Sequence, residues 1–248
     1  MAITIDLSGQ VALVTGGARG VGRGITDRLL AAGATVAVVG RTPPDALPDG
    51  ATFHPADVRD PEVGAALVDD VVGTHGRLDL LVNNAGGSPS VAAEVASPRF
   101  SAKIVELNLL SALHLSREAH RVMDRGAIIN VASLSGVRPS PGTAAYGAAK
   151  AGLINLTQTL AMEWAPDVRV CAVSAGAVRT EAFDDYYGGP EGAAAIEATI
   201  PTGRAADPTD VGDAVVFLAS PMARYITGAN LVVHGGGEAL ALHGLLGH

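Results

Sequence analysis

Two apolar runs, Val11-Ala12-Leu13-Val14 and Thr35-Val36-Ala37-Val38-Val39, bracket a glycine-rich turn and one helical repeat. That arrangement constrains the chain more than any other feature. Strands buried on both faces read as continuous Val/Ile/Leu runs. Between the runs, Thr15-Gly16-Gly17-Ala18-Arg19-Gly20-Val21-Gly22 opens a helix over 21–32, with Val21, Ile25, Leu29 and Leu30 on one stripe. Gly33 is placed to stop that helix. Strand, glycine turn, helix and strand make a βαβ unit, and its two strands must be parallel.

The alternation continues to the end of the chain. A weak strand at Thr52–Ala56 leads to Asp57-Val58. A helix follows over 61–75, with Asp60 as its N-cap and Pro61 at its first position. Leu78–Val82 is a strand ending in Asn83-Asn84-Ala85-Gly86-Gly87, and a long helix spans about 97–124. Ala127–Val131 is a strand that delivers Ser133. A helix starts at Ala144 and ends near Ala165-Pro166, and Val168–Val173 is the next strand. The stretch 181–207 is rich in Gly, Ala and acidic residues and has no strong period. A helix over 208–219 and a strand over 230–233 complete the pattern. From 41 to 51 three prolines leave no room for a regular crossover helix, so a loop is expected there.

This order predicts an α/β fold: one doubly wound parallel sheet of about seven strands, with helices on both faces and no linker dividing domains. Ligands of such sheets sit at the carboxyl ends of the strands, near the switch point. The polar clusters all fall there: the Gly16 loop, Asp57, Asn83 to Gly87, Ser133, and Gly176 to Thr180. Hydrophobic residues make up 48% and aromatic ones only 4%. The core must therefore be aliphatic and tightly packed. A net charge of −8 and the lack of a basic run argue against nucleic acid and against an anionic membrane surface. The single cysteine, Cys171, lies in an apolar run and reads as a small buried hydrophobe. No apolar stretch approaches 18 residues, and Met1 to Asp6 carry no leader pattern. A cytoplasmic protein is the expectation.

Two motifs carry chemistry. A helix N-terminus offers free N–H groups and a partial positive charge, and glycines let the backbone close on a phosphate. Gly16, Gly20 and Gly22 supply that loop, though their spacing is not Gly-x-Gly-x-x-Gly. Tyr146 and Lys150, four apart in a helix, lie one above the other on the same face. An ammonium beside a phenol favours the phenolate, which makes a poor acid usable as an acid/base. Taken alone, a Tyr-x-x-x-Lys pair is common on helix surfaces.

The ordered set is more specific. Thr15-Gly16-x-x-x-Gly20-x-Gly22, Asn83-Asn84-Ala85-Gly86, Ser133 thirteen residues before Tyr146, and Tyr146-x-x-x-Lys150 resemble the short-chain dehydrogenase/reductase family over about 7–237. The resemblance implies a single-domain Rossmann-type fold and a hydride-transfer enzyme for a ketone/secondary alcohol pair. It implies Tyr146 as general acid/base, Lys150 as the group that lowers its pKa and binds the nicotinamide ribose, and Ser133 as the donor that polarises the substrate oxygen. Ser135 has the wrong offset and is secondary. Asn108 matches the fourth member, which holds a relay water. Asp57 and the Val58 backbone would meet adenine. Asn84, Ala85 and Gly86 would line the adenosine side and brace the sheet. Val178 and Thr180 would hold the carboxamide and diphosphate, and Val21 belongs to the phosphate loop.

The cofactor is read as NADP in preference to NAD. The position about 20 residues past the loop reads Val39-Gly40-Arg41, with no acid, so Arg41 and Arg19 are free to meet a 2′-phosphate. Two residues depart from the family. Ala175-Gly176 replaces Pro-Gly, which should loosen the nicotinamide-side loop. His234 stands where the family has Asp and is read as structural; no metal site is expected. Residues 180–207 should form a substrate lid, with Asp184 and Asp185 disfavouring an anionic substrate tail. The candidate substrates are a 3-oxoacyl thioester and a steroid or other hydrophobic alcohol. A homotetramer is implied, with the tail, 238–248, packed on a neighbour. The alternative is a non-catalytic NAD(P)-binding sensor or scaffold, which would not need Asn108, Ser133, Tyr146 and Lys150 together.

Overall fold

The computed structural model describes residues 4–238. Its strands are β1 (Val11–Thr15), β2 (Thr35–Gly40), β3 (Ala51–Pro55), β4 (Leu80–Asn83), β5 (Gly126–Ser133), β6 (Val168–Ala175) and β7 (Asn230–Val233). They form one sheet in the order β3-β2-β1-β4-β5-β6-β7, every pair parallel. The order reverses between β1 and β4, so the crevice lies above Thr15 and Asn83.

The helices are α1 (Gly20–Ala31), α2 (Pro61–His75), α3 (Pro98–Val105), α4 (Ser111–Val122), α5 (Ala144–Trp164), α6 (Phe183–Tyr186), α7 (Pro190–Ala198) and α8 (Pro208–Ala219). Strand residues alternate between faces, and the core divides accordingly. Val36 and Val38 pack with Ile25 and Leu29 of α1 and Val211 and Val215 of α8. Ala37 and Val39 pack with Leu67 and Val71 of α2, Leu115 of α4 and Leu160 of α5. Helices α1 and α8 touch along their backbones: a Cβ added at Gly24 would lie 2.3 Å from the Pro208 carbonyl carbon. Cys171 is fully buried.

Local chemistry sets the boundaries where the sequence placed them. The Asp60 carboxylate accepts from the Glu62 N–H at 3.0 Å, and Gly33 stops α1 with a φ of +90°. No helix intervenes between β2 and β3.

Three expectations need correction or extension. The helix expected over 97–124 is capped by Ser97 but widens into a π-turn at Glu106–Leu110 before α4. The stretch 181–207, which has no strong period, nonetheless forms α6 and α7, which pack around Phe183, Ala193, Ile200 and Ala205, a small core of their own. Ala175 is not in a loosened loop, for it continues β6 in register between Ser133 of β5 and Val233 of β7. Unlike proline, it keeps an N–H. Of the tail expectation for 238–248, only Glu238 is described, and it pairs with Arg138 of the same chain; the rest lies outside the described residues.

Candidate active site

The glycine loop is held from below. The Thr15 hydroxyl donates to the Val82 carbonyl at 3.3 Å and accepts the N–H groups of Asn84 and Ala85 at 2.9 and 2.8 Å. The Asn84 amide donates to the Thr15 carbonyl at 2.8 Å and to Gly16 at 3.3 Å, and the Thr26 hydroxyl donates to the Gly17 carbonyl at 2.9 Å. Asn84 thus braces β1 against β4. Thr15 and Thr26 had no role in the sequence reading; for Thr15, a hydroxyl at the end of a buried strand was the available signal.

The turn itself needs its glycines. Gly16 and Gly20 have φ of +64° and +52°, and a Cβ at Gly22 would lie 2.2 Å from the Gly16 oxygen. Gly20 opens α1, so this backbone is a concave set of N–H groups at a helix N-terminus, suited to a diphosphate. Thr180 lies against Gly20, and the Glu181 carboxylate accepts the Gly20 N–H at 3.3 Å. Val178 bridges to Ala206, which anchors the start of the lid. Val21 is half-buried and packs against the core.

On the adenosine side, the Gly16 N–H donates to the Val39 carbonyl at 2.7 Å and brings the end of β2 beside the loop. Arg19 and Arg41 are exposed, and neither forms an ion pair among the described residues. Asp57 stands past the end of β3, but the Arg59 guanidinium grips it with Nε at 2.9 Å. That hydrogen bond is the main reason its carboxyl titrates at about 2. Arg59 had no role in the sequence reading. Val58 is half-buried beside it.

Ser133, Tyr146 and Lys150 come together as the spacing required. Strand β5 ends on Ser133, and α5 begins two residues before Tyr146. The Ser133 oxygen accepts the Ser135 N–H at 3.2 Å, which leaves its own proton free, and Ser133 and Tyr146 line one cavity. The Ser135 hydroxyl turns away to Ser140 at 3.0 Å. Lys150 is 3% exposed; its Nζ donates to the Val131 carbonyl at 2.8 Å and lies 5.7 Å from the Tyr146 ring centre. An ammonium has three donors, so a ligand hydroxyl can still be bound.

The electrostatics differ from expectation. Burial pushes the Tyr146 phenol up, opposed by its hydrogen bond to Ser133. Lys150 itself is lowered to about 8 by burial. Desolvation is the largest cause at Tyr146 and the only one at Lys150.

Asn108, in the π-turn, is 2% exposed and faces the site. Its amide donates to the carbonyls of Gly87 and Ile104, each at 3.0 Å, and its oxygen accepts the Gly87 N–H at 2.8 Å. Gly86 fits only because it has no side chain: a Cβ there would lie 2.6 Å from Asn108 Oδ1 and 3.3 Å from Lys150 Nζ. Beneath the site runs a buried chain that was not anticipated. The Asn83 amide donates to Ser116 and Asn130, and the Asn130 amide donates to Thr157, each at 2.9 Å.

A cavity of about 260 Å³ opens over Ser133 and Tyr146, with Tyr186 and Tyr187 of the lid on its wall. Asp184 is paired with Arg179, and neither Asp184 nor Asp185 lines the cavity. The His234 ring accepts the Gly236 N–H at 3.2 Å, and the His234 Cα and Cβ lie against Gly176.

A parallel sheet with a glycine turn at its switch point, joined through Gly86 to a Ser, Tyr and Lys set, is the arrangement of a dinucleotide-dependent oxidoreductase. The comparisons agree. The family described as enoyl-(acyl carrier protein) reductase matches residues 16–238. The chain is 39% identical to an uncharacterized short-chain type dehydrogenase/reductase of Sinorhizobium fredii, covering 92% of this chain but 43% of that longer protein. It is 37% identical to the 3-oxoacyl-[acyl-carrier-protein] reductase FabG of Vibrio cholerae, over 94% of this chain and 98% of that one. A putative short-chain alcohol dehydrogenase from Sinorhizobium meliloti superposes with a TM-score of 0.87 at 35% identity, over 94% and 98% of the two chains. The chain belongs to the short-chain dehydrogenase/reductase family and is an NAD(P)-dependent oxidoreductase of the alcohol–ketone class.

Proposed function

We propose that Tyr146 moves the proton and Ser133 holds the reacting oxygen as the substrate passes between secondary alcohol and ketone. The observation that carries this reading is the meeting of the two hydroxyls in one cavity, above a buried Lys150. Ser133, with its lone pair engaged by Ser135, presents a proton to the substrate oxygen, where charge develops. Tyr146 gives its proton to that oxygen in reduction and takes one in oxidation. When bound, the dinucleotide supplies or accepts the hydride. The glycine cradle of Gly16, Gly20 and Gly22 would hold its diphosphate, and Lys150 would use its remaining donors on the ribose. Asn108 fixes Gly87 and so the backbone beside Lys150; a relay through Asn108 is part of this reading. Since burial raises the Tyr146 phenol in the chain alone, a nearby positive charge would have to lower it during turnover.

NADP is the proposed cofactor, supported by Arg41 and Arg19 and by the lack of an acid after β2. Asp57 is held ionised as an acceptor for adenine beside Val58. Asn84, Ala85 and Gly86 would border the adenosine, and Val178 and Thr180 the carboxamide and diphosphate. The enzyme is proposed to be cytoplasmic and homotetrameric, paired through α4 and α5; no helix among the described residues is long and apolar enough to cross a membrane. The relative named a 3-oxoacyl reductase keeps a thioester on the substrate list.

Replacing Tyr146 with Phe tests the chemistry. Removing a general acid/base should lower kcat by about 10²–10⁴-fold while NADPH still binds. Full activity in that variant would remove Tyr146 from the mechanism. NADPH and NADH binding to wild type and Arg41→Ala tests the cofactor: the NADPH preference should fall in the variant, and an unchanged preference would sink the Arg41 role.

A further inference from the structure

The outer wall of the cavity carries an ion pair that the proposed chemistry does not use. Arg138, just after the turn that follows β5, donates through its guanidinium to Glu238, a hundred residues further on. Both side chains are near 40% exposed, at 43% and 40%. A pair this exposed adds little to stability, so the fold does not depend on it. Its place is what matters: it lines the same cavity as Ser133 and Tyr146.

We infer that the Arg138–Glu238 pair selects the substrate, and that it takes a neutral, polyhydroxylated one such as a polyol or sugar. This rests on the alcohol–ketone reading above. Three observations lead to it. The pair is accompanied on the wall by the polar residues Ser88, Thr143, Tyr186 and Tyr187, of which Ser88 donates to the Pro89 carbonyl and Thr143 to Ser140, while the apolar residues are only Leu134, Ala175 and Ala177. A hydrophobic substrate would strip water from these groups and give nothing back, a mismatch that such sites reject strongly. The pair is neutral overall, so a substrate carboxylate would gain from Arg138 and be repelled by Glu238, and a cation would meet the reverse. A hydroxyl suits both at once, for it accepts from the guanidinium and donates to the carboxylate. Finally, about 260 Å³ lies below the roughly 300–1,000 Å³ of pockets for drug-sized ligands. That favours a compact substrate over a steroid or a long acyl chain.

The test is NADP⁺ and NAD⁺ reduction by the purified protein with four probes: sorbitol, glucose, 3-hydroxybutyrate and cyclohexanol. The assay is repeated with Arg138→Met, Glu238→Gln and Tyr146→Phe, and dinucleotide Kd and Tm are measured alongside. The expected result is the highest kcat/KM with sorbitol or glucose. Arg138→Met should lower that value about tenfold or more, mainly through KM, with dinucleotide Kd and Tm unmoved and selectivity over cyclohexanol reduced by the same factor. Glu238→Gln should act in the same direction. Tyr146-dependent turnover that favours cyclohexanol or 3-hydroxybutyrate would overturn this inference and leave the chemistry standing. So would a sorbitol-to-cyclohexanol ratio unchanged by Arg138→Met. Dinucleotide binding with no turnover of any probe would overturn both.

Discussion

Replacing Gly86 with Ala isolates the contact that joins the cofactor side to the catalytic side. Gly86 is outside the left-handed region, so its backbone accepts an Ala and the perturbation is steric. The new Cβ would lie 2.6 Å from Asn108 Oδ1. A relaxed carbon–oxygen contact is about 3.3 Å, so that oxygen must retreat by roughly 0.7 Å. It cannot do so freely, because the Asn108 amide is tied to both Gly87 and Ile104. Overpacking costs about 1–3 kcal/mol, and the strained Gly87 N–H bond adds about 1. At about 2–4 °C per kcal/mol for a domain of this size, Tm should fall by roughly 4–15 °C. Lys150 Nζ, 3.3 Å from the same Cβ, is also displaced. Misplacements approaching 1 Å cost up to about 10²-fold, so kcat/KM should drop by a factor of about 10–100. Calorimetry and cofactor turnover give both numbers. As a control, Gly73→Ala adds a Cβ to open space on α2 and should stabilise by about 0.5–1 kcal/mol. Because the clash is with Asn108 Oδ1, adding Gly86→Ala to Asn108→Ala should cost little further stability. A Tm within a degree of wild type and activity within twofold would refute the clamp.

Two further outcomes follow from the site's charges. Burial holds Lys150 at about 8, below its ordinary value of 10.5. The folded state therefore binds fewer protons than the unfolded one between those values. The penalty for burying the ammonium is full below pH 8 and is relieved as pH rises towards 10.5. Lys150→Met should lose activity by 10²-fold or more yet unfold no lower than wild type at pH 7, with any gain narrowing by pH 10; a clear drop in Tm at pH 7 would contradict this. Glu181→Gln removes a negative charge from the N-terminus of α1, where the diphosphate is proposed to bind. Dinucleotide Kd should fall by about two- to fivefold at low salt and less at high salt, and weaker binding would place Glu181 outside that field.

What could be read beforehand follows a physical division. Val11–Thr15 and Thr35–Gly40 were legible because a strand covered on both faces must be apolar throughout, a demand made residue by residue. Tyr146 and Lys150 were legible as a pair because one helix carries both, so their spacing fixes their distance, whereas Ser133 was read from the family pattern, since the segment 134–143 leaves its distance to the helix open. Helices α6 and α7 escaped because short Ala-rich segments gain their helicity from Phe183, Ile200 and Ala205 packing together, not from a period of their own. The π-turn escaped for a related reason: the Asn108 amide reaches Gly87, 21 residues away in sequence, only once the chain has folded. The direction of the Tyr146 shift was the deepest failure. Adjacency to Lys150 was local and visible, whereas desolvation sums over every group that folds around the phenol. Arg59 on Asp57 and Arg138 on Glu238 show the same limit at two ranges. The first partner is two residues away and the second a hundred, and in neither pair did residue type alone say which cation would find which acid. The proposed acid/base pair is thus written into local spacing, while its protonation is set by contacts that exist only in the folded chain.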